Sequence, residues 1–334
     1  MRPPRTSPAV RRTPFLRAAS RTAAIVPAAM LAFAMLLLAP AHAEETPPPP
    51  TADETAESRW ETLRAHYFGD AEIVPGESLL ALDAPGRALD AAVVPVAVRV
   101  LEPDADIRRL HLIVDQNPLP LAGIFTFEEE AKGWRMLETR IRLNEYTNVR
   151  AIAERADGSL AMVSRFVKAS GGCSAPAMGD LDAAIARAGR MKLLIDEATR
   201  SARVETEGAS PLIAERAADP IADPIASPVT DPVADAGAPL TMATIKISHP
   251  NNSGMQFDQI SRHYIPAFFV ERIGAEVDGR ALLDIETNFS MSENPVVTLS
   301  FPKSSPAART TLDVYALDSK GNRYESTVAF DAGS

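Results

Sequence analysis

The chain has 334 residues, which is enough for two ordinary domains that each bury a core. Its one cysteine, Cys173, excludes an intramolecular disulfide framework and a cysteine-rich zinc site. Its 34 basic and 44 acidic residues argue against nucleic-acid binding, which requires a surplus of lysine and arginine on one face.

An export signal is predicted at residues 1–43. The segment has six arginines and no acidic residue, and an apolar run extends from Ala23 to Ala41. Because the run ends in Ala41-His42-Ala43, we expect cleavage after Ala43 and a periplasmic protein. The string Arg11-Arg12-Thr13-Pro14-Phe15-Leu16 is similar to a twin-arginine signal, but ordinary Sec export fits equally well.

The chain after this signal is predicted to be acidic and free of membrane contact. Removal of the six leader arginines from the 34 basic residues leaves 28 against 44 acids, a net charge of −16. Such a charge repels nucleic acid and anionic membranes, and the sequence has no other long apolar segment. Residues 44–57, which are rich in proline and acidic side chains, are predicted to be a disordered N-terminus.

Residues 58–178 are predicted to form a β-sandwich domain. Ser58 to Phe68 has a short helical pattern, and Asp157-Gly158 is typical of a hairpin turn. Six segments rich in apolar or β-branched residues are predicted strands: Val93–Val100, Leu110–Val114, Ile124–Phe127, Met136–Leu143, Thr147–Ala153 and Ala161–Val167. Their spacing of roughly ten residues, without intervening helices, favours an antiparallel sandwich.

The connection to the second half is predicted to be a helix followed by a linker. Residues 179–202 have apolar side chains at helical spacing, with Asp180 as a candidate N-cap. Within residues 203–242, prolines recur at a fixed interval, at Pro220, Pro224, Pro228 and Pro232. Since such a segment forms neither a helix nor a paired strand, the pattern predicts an extended, semi-rigid linker.

Residues 243–334 are predicted to form a second, smaller sandwich. Its predicted strands are Thr244–Ser248, Phe268–Val277, Leu282–Thr287, Val296–Phe301, Thr311–Leu317 and Tyr324–Phe330. Asp278-Gly279 and Lys320-Gly321-Asn322 are predicted turns. The predicted fold class is therefore mainly β, with two β-sandwich domains joined by a helix and a proline-rich linker.

Cys173 is the candidate functional residue. It lies between the last strand of the first sandwich and the predicted helix, in the string Ser170-Gly171-Gly172-Cys173-Ser174. Because Gly171 and Gly172 remove backbone restraint and every neighbour is small, we expect an exposed, mobile thiol. Such a thiol acts as a nucleophile, or it carries a covalently bound group between enzymes.

Other interpretations of this thiol stay open. Free cysteines are often buried small hydrophobic residues, and an odd cysteine in an exported protein can form an intermolecular disulfide. A cysteine protease would need a histidine base, for which His66, His111, His249 and His263 are available. No protease signature surrounds Cys173, however.

Three strings in the second half accompany Gly171-Gly172-Cys173. They are Ile245-Lys246-Ile247-Ser248-His249-Pro250 with Gly254, Ile265-Pro266-Ala267-Phe268-Phe269, and Ser292-Glu293-Asn294-Pro295. With these strings, the chain resembles a fusion of the sulfur-oxidation carrier proteins SoxY, at residues 58–173, and SoxZ in the second half. The fused arrangement is similar to the SoxYZ-like carriers associated with quinoprotein dehydrogenases.

The resemblance implies two immunoglobulin-like sandwiches that pair within the chain, in a carrier that is not an enzyme. Cys173 would be the covalent attachment residue for sulfur intermediates, and Gly171 and Gly172 would be the hinge of its arm. His249 and the Ile265 to Phe269 string would serve fold and interface. The implied partners are periplasmic oxidoreductases or cytochromes of sulfur or quinoprotein metabolism. The chain departs from the family where Ser174-Ala175 replaces two glycines and where it continues beyond the arm.

Two other functional hypotheses follow from the same residues. A non-covalent adaptor would dock an acidic face on a dehydrogenase or cytochrome, and a thiol enzyme would place a histidine within hydrogen-bond reach of the sulfur. We predict no catalytic residue, no metal site and no cofactor, because the sequence has no glycine-rich phosphate loop and no close ligand spacing. Neither nucleic acid nor a membrane is a predicted partner.

Overall fold

The computed structural model describes residues 46–48, 55–102, 104–176, 180–198, 240–259, 261–302 and 310–330. The signal peptide predicted at residues 1–43 lies outside these ranges, as do most of the segment 44–57 and most of the predicted linker 203–242. No helix within the described ranges combines the length and the apolar character that a membrane crossing requires.

The fold is mainly β, as the sequence predicts. The chain up to Cys173 contains β1 (Ile73–Pro75), β2 (Leu80–Asp83), β3 (Val94–Val100), β4 (Ile107–Val114), β5 (Leu121–Phe127), β6 (Met136–Ile141), β7 (Thr147–Arg155) and β8 (Leu160–Val167). The chain after it contains β9 (Met191–Ala198), β10 (Leu240–Ile247), β11 (Phe257–Asp258), β12 (His263–Tyr264), β13 (Val270–Val277), β14 (Arg280–Thr287), β15 (Val296–Pro302), β16 (Thr310–Asp318) and β17 (Arg323–Phe330). The described helices are α1 (Ala56–Phe68), α2 (Leu181–Ala186) and a short 3-10 turn at Glu129–Ala131.

The strands form two large sheets, and both sheets run through the two halves of the chain. In the described residues, one sheet has the order β1-β8-β7-β4-β5-β14-β13-β16-β17, and the other has the order β2-β3-β6-β15-β10-β9. A separate small hairpin consists of β11 and β12. Each half is therefore an immunoglobulin-like sandwich, and the halves join edge to edge in both layers.

The two halves meet at antiparallel strand pairs. β5 pairs with β14 and places Phe125 opposite Ile285, while β6 pairs with β15 and places Leu137 opposite Leu299. All four side chains are buried, and they belong to a hydrophobic cluster that extends through both halves. Because apolar burial is the main favourable term in folding, the halves stabilise each other through a shared core.

Two predicted hairpin turns are confirmed. Asp157-Gly158 connects β7 to β8, and Gly158 has a φ of 83°. Asp278 and Gly279 connect β13 to β14 with φ values of 49° and 72°, the left-handed conformations that a type I′ turn requires. These turns set the register of the strands that they join.

Helix α1 begins at Ala56, two residues before the predicted start at Ser58. Thr55 is its N-cap, and the Thr55 side chain accepts a hydrogen bond from the backbone N–H of Ser58 at 3.1 Å. Leu63 is fully buried against isoleucines of β4 and β7, so the helix packs on the outer face of the nine-stranded sheet.

The helix predicted at residues 179–202 is wrong over most of its length. Helix α2 covers only Leu181–Ala186, and the chain then forms β9, which pairs with β10 along its whole length. Met191, Leu193 and Ile195 pack against the core at alternate positions, as in a strand. The partner strand lies beyond the predicted linker, so long-range pairing overrides the local helical pattern.

Several short strands are present where the sequence predicts none. β1, β2, β11 and β12 each contain two to four residues, which is too short for a recognisable alternating pattern. β10 begins at Leu240, so the last residues of the predicted linker 203–242 belong to a strand.

Candidate functional site

The arm that carries Cys173, here residues 168–176, follows the end of β8. Cys173 is buried with 0% of its surface exposed, so the prediction of an exposed thiol is wrong in this structure. Its neighbours Gly171 and Ser174 are exposed. The arm thus lies at the protein surface and turns its thiol inward.

Backbone hydrogen bonds dock the arm on the loop between β6 and β7. The N–H of Gly171 donates to the carbonyl oxygen of Asn144 at 2.7 Å, and the N–H of Gly172 donates to that of Leu143 at 2.9 Å. Leu143 in turn donates its N–H to the carbonyl oxygen of Ala91 at 2.8 Å. Each such hydrogen bond contributes about 0.5–1.5 kcal/mol to stability. The hydrogen bonds of the docked arm are therefore weak enough for water to replace them when the arm undocks.

The two glycines of the arm have different structural roles. Gly171 has a φ of 79°, in the left-handed region that favours glycine, and a Cβ added there would meet nothing within 4 Å. A Cβ added at Gly172 would lie 2.0 Å from the carbonyl oxygen of Ala91 and 2.7 Å from that of Leu143. Gly171 therefore provides a turn and Gly172 permits close backbone approach, whereas their role as a hinge stays a prediction.

The second half of the chain covers the arm with the loop 249–253, here called the covering loop. The Ser253 hydroxyl donates a hydrogen bond to the backbone carbonyl of Cys173, across 80 positions of sequence. The buried members of the loop include His249, Asn251, Asn252 and Ser253. The backbone of Cys173 is therefore held by a segment that is distant in sequence, which a local pattern does not reveal.

Burial raises the pKa of the Cys173 thiol from 9.0 to about 12, and the positive charge of Arg142 opposes this rise. At neutral pH the docked thiol is therefore protonated, and the reactive thiolate is scarce. Burial lowers the pKa of Arg142, and the negative charge that Cys173 carries as a thiolate is the first of the charges that oppose this change. The two groups are thus electrostatic neighbours.

Arg142 connects the first half of the chain to the covering loop. Its Nη1 donates hydrogen bonds to the carbonyl oxygens of Asn251 and Phe289, the second at 3.2 Å. Its own carbonyl oxygen accepts a hydrogen bond from Nδ2 of Asn117 at 2.8 Å. Sequence analysis missed Arg142, Asn251 and Ser253 as site residues. The string that begins at Ile245 directs attention to this region, but nothing local marks Arg142.

His249 lies in the covering loop and is buried. The backbone N–H of Asn251 donates to its Nδ1 at 3.1 Å, and its ring centroid is 4.3 Å from that of Phe268. Its Nε2 is 3.8 Å from the Asp318 carboxylate, which is too long for a hydrogen bond. Burial lowers the pKa of His249 to about 4, against the attraction of Asp318.

The free energy of unfolding is expected to fall as the pH drops from 6.5 to about 4, because of His249. The unfolded state takes up a proton near pH 6.5, whereas the folded imidazole stays neutral until about pH 4. The stabilising contribution is therefore present above pH 6.5 and is lost toward pH 4. In urea unfolding, His249→Gln should reduce the slope of stability against pH in this window.

The matched control is His263→Gln at an exposed position, which should leave this pH slope unchanged. A smaller slope of the same sign is expected to remain in His249→Gln, since burial also lowers the pKa of His111. A slope in His249→Gln equal to that of the wild type would contradict the role assigned to His249.

The other candidate bases are not joined to the thiol. Across the described ranges, no histidine is hydrogen-bonded to Sγ of Cys173. Nε2 of His111 is instead 3.3 Å from the Glu154 carboxylate, and His66 and His263 are exposed. The same ranges contain no group of three or more histidine, cysteine or acidic side chains placed to hold a metal ion. The groups described at this site are the Cys173 thiol, the Arg142 guanidinium, the Ser253 hydroxyl and the backbone groups that they contact.

The paired sandwiches and the cysteine arm between them agree with two family comparisons. Residues 64–173 match the model of the sulfur oxidation protein SoxY, and this match ends on Cys173. Residues 231–329 match the model of the sulphur oxidation protein SoxZ. The chain is therefore a SoxY–SoxZ fusion, which confirms this part of the resemblance, whereas the association with quinoprotein dehydrogenases stays a prediction.

Two solved structures are similar to parts of the chain. The sulfur carrier protein SoxY from Chlorobium limicola f thiosulfatophilum is 22% identical, with a TM-score of 0.30, and the match covers 34% of this chain and 94% of that one. A superoxide reductase (neelaredoxin) from Ignicoccus hospitalis is 17% identical, with a TM-score of 0.24, and the match covers 32% of this chain and 90% of that one. Likenesses of this size carry no functional argument. None of the curated proteins matches the chain.

Proposed function

We propose that the protein is a periplasmic carrier that holds sulfur-compound intermediates covalently on Cys173 and presents them to partner oxidoreductases or cytochromes. The observation that carries this proposal is the position of the single thiol, behind Gly171 and Gly172, at the last residue of the SoxY match. The SoxZ half supports it, since Ser253 contributes a hydrogen bond to the docked arm. The protein itself supplies no catalysis, and the periplasmic site rests on the predicted signal.

Loading the thiol with a sulfur compound requires a partner. Joining the Cys173 thiolate to the outer sulfur of thiosulfate forms one sulfur–sulfur bond and releases two electrons, leaving a thiosulfonate-type adduct with one negative charge. The electron acceptor in this proposal is a partner cytochrome or oxidoreductase. The carrier needs no cofactor of its own, because its contribution is the thiol and the arm.

The arm has to undock to reach a partner, and the contacts around it suggest how far it moves. Cys173 is six residues beyond Val167, the end of β8, so the extended reach is about 20 Å. On its other side, among the described residues, the next backbone anchor outside the arm and helix α2 is Gly189, whose N–H donates to the carbonyl oxygen of Ser248 at 2.8 Å. The intervening helix α2 has no buried residue among those described. Of the two connections, the one to β8 is shorter, so it limits the reach.

A second candidate function is a non-covalent adaptor that docks a quinoprotein dehydrogenase or a cytochrome. The burial of Cys173 favours it, because a docked thiol with a pKa of about 12 does not react at neutral pH. The Cys173→Ser variant distinguishes the two proposals. It should abolish the function of a covalent carrier and leave the function of a non-covalent adaptor unchanged.

The native adduct on Cys173 tests the carrier function. Protein purified without reductant from its native periplasm is expected to show, by intact mass, a gain of sulfur atoms or of a sulfonate group that maps to Cys173. The Cys173→Ser protein, expressed in the same way, should show no gain. Recovery of free thiol or of a mixed disulfide alone would count against the carrier and in favour of the adaptor.

A further inference from the structure

Arg142 is a buried cation that makes no direct ion pair with a carboxylate in the described part of the structure, although the negative charges of Glu293 and Asp90 act on it. Its side chain is 1% exposed, and its hydrogen bonds are those of Nη1 to two backbone carbonyl oxygens. Its Nε has no hydrogen-bond partner in the structure. The contrast is Arg150, a buried arginine whose Nε and Nη2 both bind the Asp115 carboxylate. A buried guanidinium without a direct counter-ion is unfavourable, so an anion that binds to its free Nε would stabilise it.

The same backbone segments hold Arg142 and Cys173. Leu143, the next residue after Arg142, accepts the N–H of Gly172, the residue before Cys173. The covering loop contacts both as well, since the Asn251 carbonyl accepts from Arg142 and the Ser253 hydroxyl donates to the Cys173 carbonyl. A negative charge on Cys173 also interacts favourably with the Arg142 guanidinium. The thiol and the unpaired donor therefore belong to one buried site.

We propose that Arg142 is the anion-binding residue for the group carried on Cys173, and that the docked arm thereby prefers cargo with a negative charge. A thiosulfonate, a sulfonate or an ionised persulfide has such a charge, whereas a neutral disulfide does not. Guanidinium N–H groups suit sulfonate oxygens as they suit other oxyanions, and the free Nε is the available donor. This inference rests on the proposed carrier function and adds to it the class of cargo that the closed state retains.

Two chemical loadings of the mature protein test this preference. Tetrathionate reacts with the Cys173 thiolate to leave the anionic S-thiosulfonate and releases thiosulfate, so no external oxidant is needed. Methyl methanethiosulfonate leaves the neutral S-methyl disulfide and releases methanesulfinate. Because the thiol is buried, both reactions are done in urea, and the loaded protein is then refolded.

For each adduct, the rate of removal by dithiothreitol is measured in the folded protein and in urea. The measured quantity is the rate in urea divided by the rate in the folded protein. This ratio is the protection that the docked arm gives, and it cancels the intrinsic reactivity of the adduct. In the wild type, the anionic adduct is expected to be protected about tenfold more than the neutral one, the size of one charge-assisted hydrogen bond in a buried site. In Arg142→Met this difference should disappear, and in Arg142→Lys, which keeps the charge, part of it should remain.

Arg150→Met is the matched control, because it also removes a buried guanidinium from the first half, but one that Asp115 already neutralises. It should lower the thermal midpoint and keep the preference for the anionic adduct. Equal protection of the two adducts in the wild type, or an undiminished preference in Arg142→Met, would overturn the role of Arg142. Neither result would affect the carrier function, which fails separately if the native protein has no sulfur adduct.

Discussion

Gly172→Ala is expected to expose Cys173 in the folded protein and to accelerate its alkylation about a hundredfold. The added Cβ would lie 2.0 Å from the carbonyl oxygen of Ala91, 2.5 Å from its carbonyl carbon and 2.7 Å from the carbonyl oxygen of Leu143. These are backbone atoms held by a hydrogen bond between Leu143 and Ala91, so they cannot move aside as a flexible side chain would. Overpacking of this kind costs ~1–3 kcal/mol or more, which shifts the arm toward its undocked state.

Undocking increases the reactivity of Cys173 in two ways. It gives the reagent access to the sulfur, and it removes the burial that raises the pKa of the thiol to about 12, so that more thiolate is present at pH 8. Iodoacetamide labelling of the native protein, followed by intact mass, measures the combined effect. Global stability measured in parallel by urea unfolding distinguishes undocking of the arm from unfolding of the protein.

Two other glycines provide controls for the alkylation experiment. Gly171→Ala introduces backbone strain at a φ of 79° but no clash, so a smaller acceleration of about tenfold is expected. Gly158→Ala introduces the same kind of strain in the hairpin between β7 and β8, away from the arm, and should leave the alkylation rate unchanged. If Gly172→Ala labels no faster than the wild type, the backbone contact with Ala91 does not hold the arm.

The sequence predicts the elements of this fold that depend on local signals. The strands β3 to β8 and β10, the turns at Asp157-Gly158 and Asp278-Gly279, and helix α1 all have an alternating pattern, a turn dipeptide or a helical stripe of their own. The local pattern of strand β9 does not determine its secondary structure. Its apolar residues fit a helical stripe as well as an alternating one, and only the pairing with β10 decides between them.

The prediction of an exposed Cys173 failed for the same reason as the prediction of a helix at β9. In both cases the structure depends on contacts with residues that are distant in sequence. Small residues around the thiol suggest exposure, because no bulky neighbour in sequence can cover it. Ser253 in the second half instead holds the Cys173 backbone through a hydrogen bond, and the missing Cβ of Gly172 allows the arm to approach Ala91 closely. The cysteine was therefore identified from the sequence, whereas its environment and the unpaired Arg142 depend on contacts between the halves.

Asp115→Ala is expected to lower the free energy of unfolding by about 3–5 kcal/mol. Asp115 is 1% exposed, and its carboxylate accepts hydrogen bonds from Nε of Arg150 at 2.9 and 3.0 Å and from Nη2 at 2.8 Å. Burial raises the pKa of Asp115, and the hydrogen bonds and charge of Arg150 oppose this rise. Removal of the carboxylate leaves the Arg150 guanidinium buried without a counter-charge, which is the costly outcome.

The loss of stability in Asp115→Ala should extend to helix α1. Nε of Arg59 donates to the backbone carbonyl of Asp115 at 3.0 Å, and the guanidinium of Arg150 lies 4.2 Å from the ring centroid of Trp60. Both contacts join α1 to the pair of charges beneath it, so a displaced Arg150 loosens the helix. Hydrogen exchange in α1 is expected to become faster in Asp115→Ala than in the wild type.

Urea unfolding of a double variant separates the missing counter-charge from a general packing defect. Asp115→Leu combined with Arg150→Met replaces both charges with apolar side chains, and it should recover most of the stability that Asp115→Ala loses. Asp106→Ala is the control for a partly exposed pair. Asp106 and Arg108 are 2.8 Å apart, and the loss of this pair should lower the free energy of unfolding by at most about 1 kcal/mol. An equally small decrease in the free energy of unfolding of Asp115→Ala would mean that Arg150 reaches water or another acceptor. The buried pair of Asp115 and Arg150 would then not be what holds α1 to the sheet.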